Sequence, residues 1–319
     1  MSNLTRLLTI LFFYLTLCPV VWADSVLDQR IRDVASGGTV EQLQTLIEKG
    51  ANIDAPGKYG KRPLMFAAES GNTDIIVALL TYGAEINART KTGETALLLA
   101  VEHGHAEVTA LLIEFGANVH DRTRSGVDPL MTAAKAGNDI IAAQLLESGA
   151  DVRSSDRKGN SALIYAINLG HINVIKNLFR YSNKVAPCVP NNAGITPLMA
   201  AVNKGNKEII DIILPRVKNI NFQDNFGAAA LHYAAEKGNL AVVKYLLEHA
   251  ANINMTDEDS ASPLIYAARA GNVEVVSYLL ANNADKSIKT AMGKTALQLA
   301  QDNKKTAVAK LLGQEAAQK

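Results

Sequence analysis

The stretch KTGETALLLAVEHGHAEVTALLIEFGANVHDRT, residues 91–123, decides the fold because variants of it recur along most of the chain. The variants typically have a glycine turn, Thr or Ser, Pro or Ala, and Leu, then an apolar run followed by asparagine. Eight such units follow one another from Lys58. The turn glycines are Gly60, Gly93, Gly126, Gly159, Gly194, Gly227 and Gly293, with Ser260 in the missing position. Every step is 33 residues except that of 35 between Gly159 and Gly194, and such a period predicts a stacked repeat array.

Each unit predicts two short helices. In residues 91–123, Thr95 can cap a first helix that ends at Gly104, and a second helix runs over 106–114 before Gly116. In four sister units a proline takes the first helical position, where its fixed φ and missing N–H cost nothing: Pro63, Pro129, Pro197 and Pro263. Helices this short cannot bury both faces alone, so each unit requires a stacked neighbour.

These motifs resemble the ankyrin-repeat family. The nearest matches to its pattern are Thr196-Pro197-Leu198, Ala230-Leu231-His232-Tyr233-Ala234-Ala235 and Gly83-Ala84-Glu85-Ile86-Asn87, and the resemblance covers residues 26–312. It implies an all-α solenoid of stacked antiparallel helix pairs with projecting β-hairpin-like turns, and a concave binding face. We expect one elongated domain.

The expected organisation has four parts. Residues 1–23 form a signal peptide, 24–57 an N-terminal capping repeat, 58–312 the eight repeats, and 313–319 a frayed tail. An irregular joint at 179–193 contains the two extra residues, two prolines and Cys188. The joint is interpreted either as a tolerated loop insertion or as a bend or partner-contact loop carrying a reactive thiol at Cys188.

The signal peptide is predicted from Arg6, a short apolar run over 7–17 and small residues before a cleavage point after Ala23. Two alternatives are a retained membrane anchor, although 7–22 is shorter than the roughly 20 residues that span a bilayer, and a lipid on Cys18. Cleavage of a signal peptide predicts export to the periplasm, with secretion as the alternative. We expect no stable membrane insertion of the chain after cleavage. Whether the segment is cleaved or retained stays open.

Composition limits the partner classes. The chain has 32 basic and 31 acidic side chains, and removing 1–23 takes away one arginine, so the expected mature charge is zero. A neutral chain without interleaved aromatic residues argues against nucleic acid. Cleavage also removes Trp22 and Cys18, leaving Cys188 alone and no intramolecular disulfide.

No catalytic or metal-binding motif is evident. The only close histidine pair, His103 and His105, is separated by a glycine that marks a helix end, and His232 occupies the position of the family's helix-capping histidine. We therefore predict a non-enzyme without cofactor. An enzyme or metal-handling protein with a site built across several repeats is the rival from another class.

The resemblance implies binding through the residues beside each turn glycine and the exposed end of the first helix. The candidate partner-binding residues are Lys58, Tyr59, Lys61, Lys91, Glu94, Arg124, Lys135, Arg157, Lys158 and Phe226. The cations at the first four turns, helped by Arg89 and Arg122, predict an acidic protein surface as partner. The distal turns offer Asn225, Phe226, Glu258, Asp259 and Met292 instead. The alternative is that charged turn tips are only solvated.

The sequence therefore predicts a non-catalytic, exported scaffold for protein–protein interaction. A secreted protein directed at a host cell is an alternative with the same recognition mechanism. The partner's identity, the source and the oligomeric state are beyond what the sequence specifies.

Overall fold

The computed structural model describes residues 26–181 and 189–314. The predicted signal peptide with Cys18 and Trp22, the part of the joint that holds Cys188, and residues 315–319 of the predicted tail lie outside the described residues. The described residues fall into two compact units, 26–117 and 118–314, which divide just after the second helix of the repeat at 91–123.

The first unit contains three helix pairs. They are α1 (Val26–Gly37), α2 (Val40–Glu48), α3 (Pro63–Ser70), α4 (Thr73–Thr81), α5 (Ala96–Glu102) and α6 (Ala106–Glu114). The odd-numbered helices pack on one another in order, and so do the even-numbered helices, while each odd helix also packs on its own partner. The first pair lies within the residues predicted to form the capping repeat, and its first helix extends to Gly37.

The second unit continues the pattern with six pairs. They are α7 (Pro129–Ala136), α8 (Asp139–Glu147), α9 (Ala162–Leu169), α10 (Ile172–Tyr181), α11 (Pro197–Lys204), α12 (Lys207–Ile213), α13 (Ala230–Lys237), α14 (Leu240–Glu248), α15 (Pro263–Ala270), α16 (Val273–Ala281), α17 (Ala296–Asp302) and α18 (Thr306–Gln314). We call the odd-numbered helices of both units the inner helices and the even-numbered ones the outer helices. The last helix includes residues 313 and 314 of the predicted tail.

The inner helices begin as their sequence predicts. The Leu98 N–H donates to the Thr95 hydroxyl at 3.3 Å, and the Met131 N–H donates to the buried Asp128 carboxylate at 2.8 Å. Proline occupies the first position of α3, α7, α11 and α15. Capping contacts of this kind stabilise a helix by about 1 kcal/mol each, so short helices gain definite starting points.

Packing between successive pairs buries the apolar stripes. Leu64 and Leu97 in the first unit, and Leu198 and Leu264 in the second, have at most 2% of their surface exposed. Fully burying a leucine side chain stabilises by about 2 kcal/mol, so the stacked contacts are the main source of order.

The turns between pairs contain only isolated bridges and no strand in the described residues. Each is closed by a pair of backbone hydrogen bonds, such as Asp224 N–H to Ala228 O at 3.0 Å and Gly227 N–H to Asp224 O at 3.0 Å. The predicted hairpin-like turns are thus tight turns too short to form ladders.

A second irregularity appears at 214–216, where the outer helix α12 ends early in a 3-10 turn. Pro215 lacks an N–H and cannot continue the α-helix. From the sequence, only the joint at 179–193 is predicted to be irregular, although Pro215 carries the signal for this one.

Candidate functional site

The turns stack on one another through their backbones. We number the four residues of each turn from its first residue, so that the second and third residues form the tip. The N–H of each second residue donates to the carbonyl of the third residue of the preceding turn: Lys91 to Tyr59 in the first unit, then Arg157 to Ser125, Asn192 to Lys158, Asn225 to Ala193, Glu258 to Phe226 and Ala291 to Asp259 in the second. These bonds measure 2.7–3.2 Å. Because these bonds occupy backbone N–H and carbonyl groups at the tips, a partner that binds there would be recognised mainly through side chains.

Three turns have an additional support that the sequence analysis missed. The turns that begin with aspartate, at Asp156, Asp224 and Asp257, each have a tyrosine nine residues later: Tyr165, Tyr233 and Tyr266. The Tyr165 hydroxyl donates to Asp156 at 2.5 Å, the Tyr266 hydroxyl to Asp257 at 2.7 Å, and Tyr233 makes the same bond to Asp224. We call each pair an Asp–Tyr clamp, since it ties a turn to its inner helix.

The other carboxylate oxygen of each clamp holds the turn itself. Asp224 Oδ1 accepts the N–H groups of Phe226 at 2.8 Å and Ala228 at 3.0 Å. Asp156 Oδ1 accepts those of Lys158 and Asn160, both at 2.8 Å. These two clamps therefore fix the backbone of the tip that follows each aspartate.

The clamps shift the ionisation of their members. Burial raises the pKa of the Tyr165 phenol to about 12, with the hydrogen bond to Asp156 adding to the shift. Burial and the clamp bond also raise the pKa of Tyr233 and of Tyr266. Burial raises the pKa of Asp156, but the bonds from Tyr165 and from backbone N–H groups outweigh it, and the net shift is downward. At neutral pH the clamp of Asp156 therefore joins a neutral phenol to a charged carboxylate, which is a structural pairing.

In the first unit, Lys58 and Tyr59 lie at one exposed tip. Tyr59 has 62% of its surface exposed, and the Lys58 ammonium lies 5.0 Å from the centre of its ring. Tyr59 has a φ of 63°, a left-handed conformation that costs a non-glycine residue about 1 kcal/mol. An exposed aromatic residue held under strain is a candidate functional feature.

Two further candidates of this unit are engaged locally. The Lys61 ammonium pairs with Glu69 and lies 4.6 Å from the centre of the Phe66 ring, and its side chain is only 19% exposed. The Glu94 carboxylate accepts the Thr92 hydroxyl at 2.8 Å and supports its own turn. Lys91 remains at the tip as an exposed cation.

In the second unit, Arg124, Arg157 and Lys158 are exposed at their tips. Lys135 is exposed, with its ammonium 4.6 Å from the centre of the Tyr165 ring. Arg122, which was predicted to add to the positive charge of the tips, donates a hydrogen bond to the Ser154 hydroxyl at 2.8 Å and so supports a loop. Phe226 is 71% exposed.

The histidines brace neighbouring repeats. His105 Nε2 lies 2.9 Å from the Glu69 carbonyl, and His171 Nε2 lies 3.2 Å from the Lys135 carbonyl. Both carbonyls lie near the end of the inner helix of the preceding repeat. The structural hydrogen bond predicted for His232 is confirmed, because its Nδ1 accepts the Ala229 N–H at 3.0 Å. Burial lowers the pKa of His232, consistent with a neutral ring.

Comparison with protein families agrees with this architecture. A family model described as ankyrin repeats (3 copies) matches residues 32–123, 97–188 and 178–257. A second, described as ankyrin repeats (many copies), matches 248–300. The chain belongs to the ankyrin-repeat family. None of the curated proteins compared with it matches this chain.

Ankyrin repeats are generally modules for protein–protein interaction and are typically non-catalytic, so a protein partner is the general expectation for this chain. Within the ranges that the structure describes, His, Cys, Asp and Glu side chains form no group of three that could hold a metal ion. Over the same ranges, no helix has the length and apolar character needed to cross a bilayer.

Proposed function

We propose that the protein is a non-catalytic scaffold that binds a protein partner through the side chains of its turn tips and the adjoining ends of its inner helices. The observation that supports this most strongly concerns Tyr59: its aromatic ring is exposed to solvent, and its backbone is held in the left-handed conformation. Its neighbour Lys58 and the cation of the next turn, Lys91, give this tip region a positive surface. Aromatic residues beside cations are common energetic anchors of interfaces.

The partner surface we assign to the basic tips is acidic. Arg124, Arg157 and Lys158 extend the set of exposed cations in the second unit. Complementary charge raises association rates and excludes wrongly charged partners more than it adds affinity. Lys61 and Glu94 contribute through local contacts that position the tips.

Charge reversal tests this assignment. Lys91, Arg124 and Arg157 changed together to glutamate should weaken partner capture from the native compartment by at least tenfold, with a reduced dependence on salt. The matched control reverses three exposed cations outside the tips, Lys49, Lys218 and Lys310. Equal capture by the tip variant and wild type would remove the basic tips from the binding surface.

We assign the protein to the periplasm of the exporting cell, with secretion towards a host cell as the alternative. The support is the sequence of residues 1–23. Cleavage after Ala23 predicts a mature chain that begins at Asp24 and shows tyrosine but no tryptophan fluorescence, since Trp22 is lost. Amino-terminal sequencing of protein from each cell fraction tests both processing and location.

A further inference from the structure

The tips of the last three turns expose two large apolar side chains. Phe226 is 71% exposed as the third residue of turn 224–227, and Met292 is 87% exposed as the third residue of turn 290–293. Exposed apolar side chains that stand singly need no function of their own, so what these two can do depends on the turn between them. Both belong to the second unit, so their spacing follows from the repeats between them.

The turn between them, 257–260, is acidic. Glu258 and Asp259 are both exposed. The Glu258 N–H donates to the Phe226 carbonyl at 2.9 Å, and the Ala291 N–H donates to the Asp259 carbonyl at 2.7 Å. The three turns are therefore directly consecutive, and two apolar tips flank an acidic one. We call Phe226, Glu258, Asp259 and Met292 the distal strip.

Two nearby cations already have partners. Arg269 lies 3.5 Å from Glu236, and its guanidinium is 4.6 Å from the centre of the Tyr266 ring. Lys294 pairs with Asp302. In the described part of the chain, none of the ion pairs includes a distal-strip carboxylate. The negative charge of the strip is thus available to a partner.

Two of the three turns are also held in place before any partner arrives. The clamp between Asp224 and Tyr233 fixes the backbone of Phe226, and Asp257 accepts both the Tyr266 hydroxyl and the Ala261 N–H, the latter at 2.7 Å. A site ordered in advance loses less conformational entropy on binding.

From this arrangement we infer that the distal strip docks an extended, cationic segment of another protein, with an apolar side chain on each side of its basic residues. Stacked helices lie about 10 Å apart, so Phe226 and Met292 are separated by roughly 20 Å. An extended chain advances about 3.3 Å per residue, which places the two apolar groups of the segment about six residues apart. The inference rests on the proposed function only in that the turn tips bind protein.

The test uses the full mature chain and three labelled synthetic peptides followed by fluorescence anisotropy. The first is Phe-Ser-Arg-Arg-Arg-Ser-Leu, the second replaces its arginines by glutamates, and the third replaces its apolar ends by serines. The first should bind at least tenfold more tightly than either of the others. Phe226→Ala, and Glu258→Lys with Asp259→Lys, should each weaken it about tenfold.

Glu274→Lys is the matched control, since it reverses an exposed acid on the outer helix α16, and it should leave peptide binding unchanged. Equal binding of all three peptides, or equal binding by all variants, would overturn the inference. Sedimentation of the chain alone identifies a different occupant: self-association lost in the Glu258 and Asp259 variant would assign the strip to a second copy and contradict the cationic segment. Either failure leaves capture through Lys91, Arg124 and Arg157 intact, so the proposed function is tested separately.

Discussion

The turns at 224–227 and 290–293 both expose a large apolar tip, but they are supported differently. Asp224 accepts two turn N–H groups and the Tyr233 hydroxyl, whereas Thr290 Oγ1 accepts only the Lys294 N–H, at 3.3 Å. Leu299 stands nine residues after Thr290, where the clamped turn has Tyr233. One turn is tied to its inner helix by a clamp, whereas the other has no clamp and is held by backbone bonds within itself and to turn 257–260.

The same two turns differ in what lies beyond them. A Cβ added to Gly227 would lie 2.7 Å from the Glu258 N atom of the next turn, whereas one added to Gly293 would meet nothing within 4 Å. The clamped turn is thus held from its helix and from its neighbour. The comparison shows that turns with a shared repeat motif can be supported unequally: the clamp arises from side chains outside the motif, and the contact beyond Gly227 arises from the turn that follows it.

The largest expected effect comes from removing the clamp carboxylate. Asp224→Ala leaves two N–H groups and a phenol without their acceptor at a site only 7% exposed, so we expect a loss of about 3 kcal/mol in the free energy of unfolding. Thr290→Ala, the matched control, should lose about 0.5 kcal/mol. Urea unfolding followed by circular dichroism measures both. Equal losses would show that the clamp adds nothing to the turn.

A somewhat smaller effect is expected where the turns stack. Gly227→Ala and Gly293→Ala impose the same left-handed penalty of about 1 kcal/mol, because φ is 78° and 74°. Only Gly227→Ala also drives a methyl group into the next turn's backbone, which should add about 1–2 kcal/mol. The difference between their midpoints in urea measures the stacking contact. If the two variants unfold together, the turns are not tightly stacked in solution.

The clamp also predicts a loss of stability at alkaline pH. The folded state raises the pKa of Tyr233 above its unfolded value near 10, so the unfolded chain releases the phenolic proton first. The contribution of this group is complete below that value and is lost as the pH rises through 10 towards the folded pKa. Tyr233→Phe should reduce the slope of stability against pH above 10, as measured by unfolding at several alkaline pH values. Tyr59→Phe, at an exposed ring that belongs to no clamp, is the matched control.

The smallest expected change is a gain in stability, and it concerns the turn whose tip carries Tyr59. Asparagine tolerates the left-handed conformation better than tyrosine, so Tyr59→Asn should stabilise the protein by about 0.5 kcal/mol while weakening partner capture. Thermal unfolding and a pull-down on the same preparations report the two changes. A variant that is stabilised and still captures the partner fully would remove Tyr59 from the proposed surface.

Much of the fold follows from the sequence because it depends on local signals. The capping role of Thr95, the proline at the start of α3 and the bounds of α6 are each set by residues within one repeat. Side-chain pairing was harder to foresee. The engagement of Lys61 by Glu69 depends on which neighbour the side chain reaches, and several acids lie within range in the sequence.

The clamps were foreseeable in retrospect. Aspartate at the first turn position and tyrosine nine residues later occur together at three turns, while the turns beginning with Thr90, Thr123 and Thr290 have no tyrosine there. The repeat period brings out shared residues, and the clamps are a feature that only some repeats share. The chemistry of the partner is harder still to predict from this sequence, since it depends on a second molecule.

The most direct test of the turn tips as the binding surface is site-specific photocrosslinking with benzoylphenylalanine in native cells. Position 226 on a tip and position 140 on the outer helix α8 are matched, because Phe226 is 71% and Ile140 is 61% exposed. The account predicts a discrete crosslinked partner from position 226 and none from position 140. The same partner crosslinked from position 140, with none from position 226, would place recognition on the outer helices and contradict it.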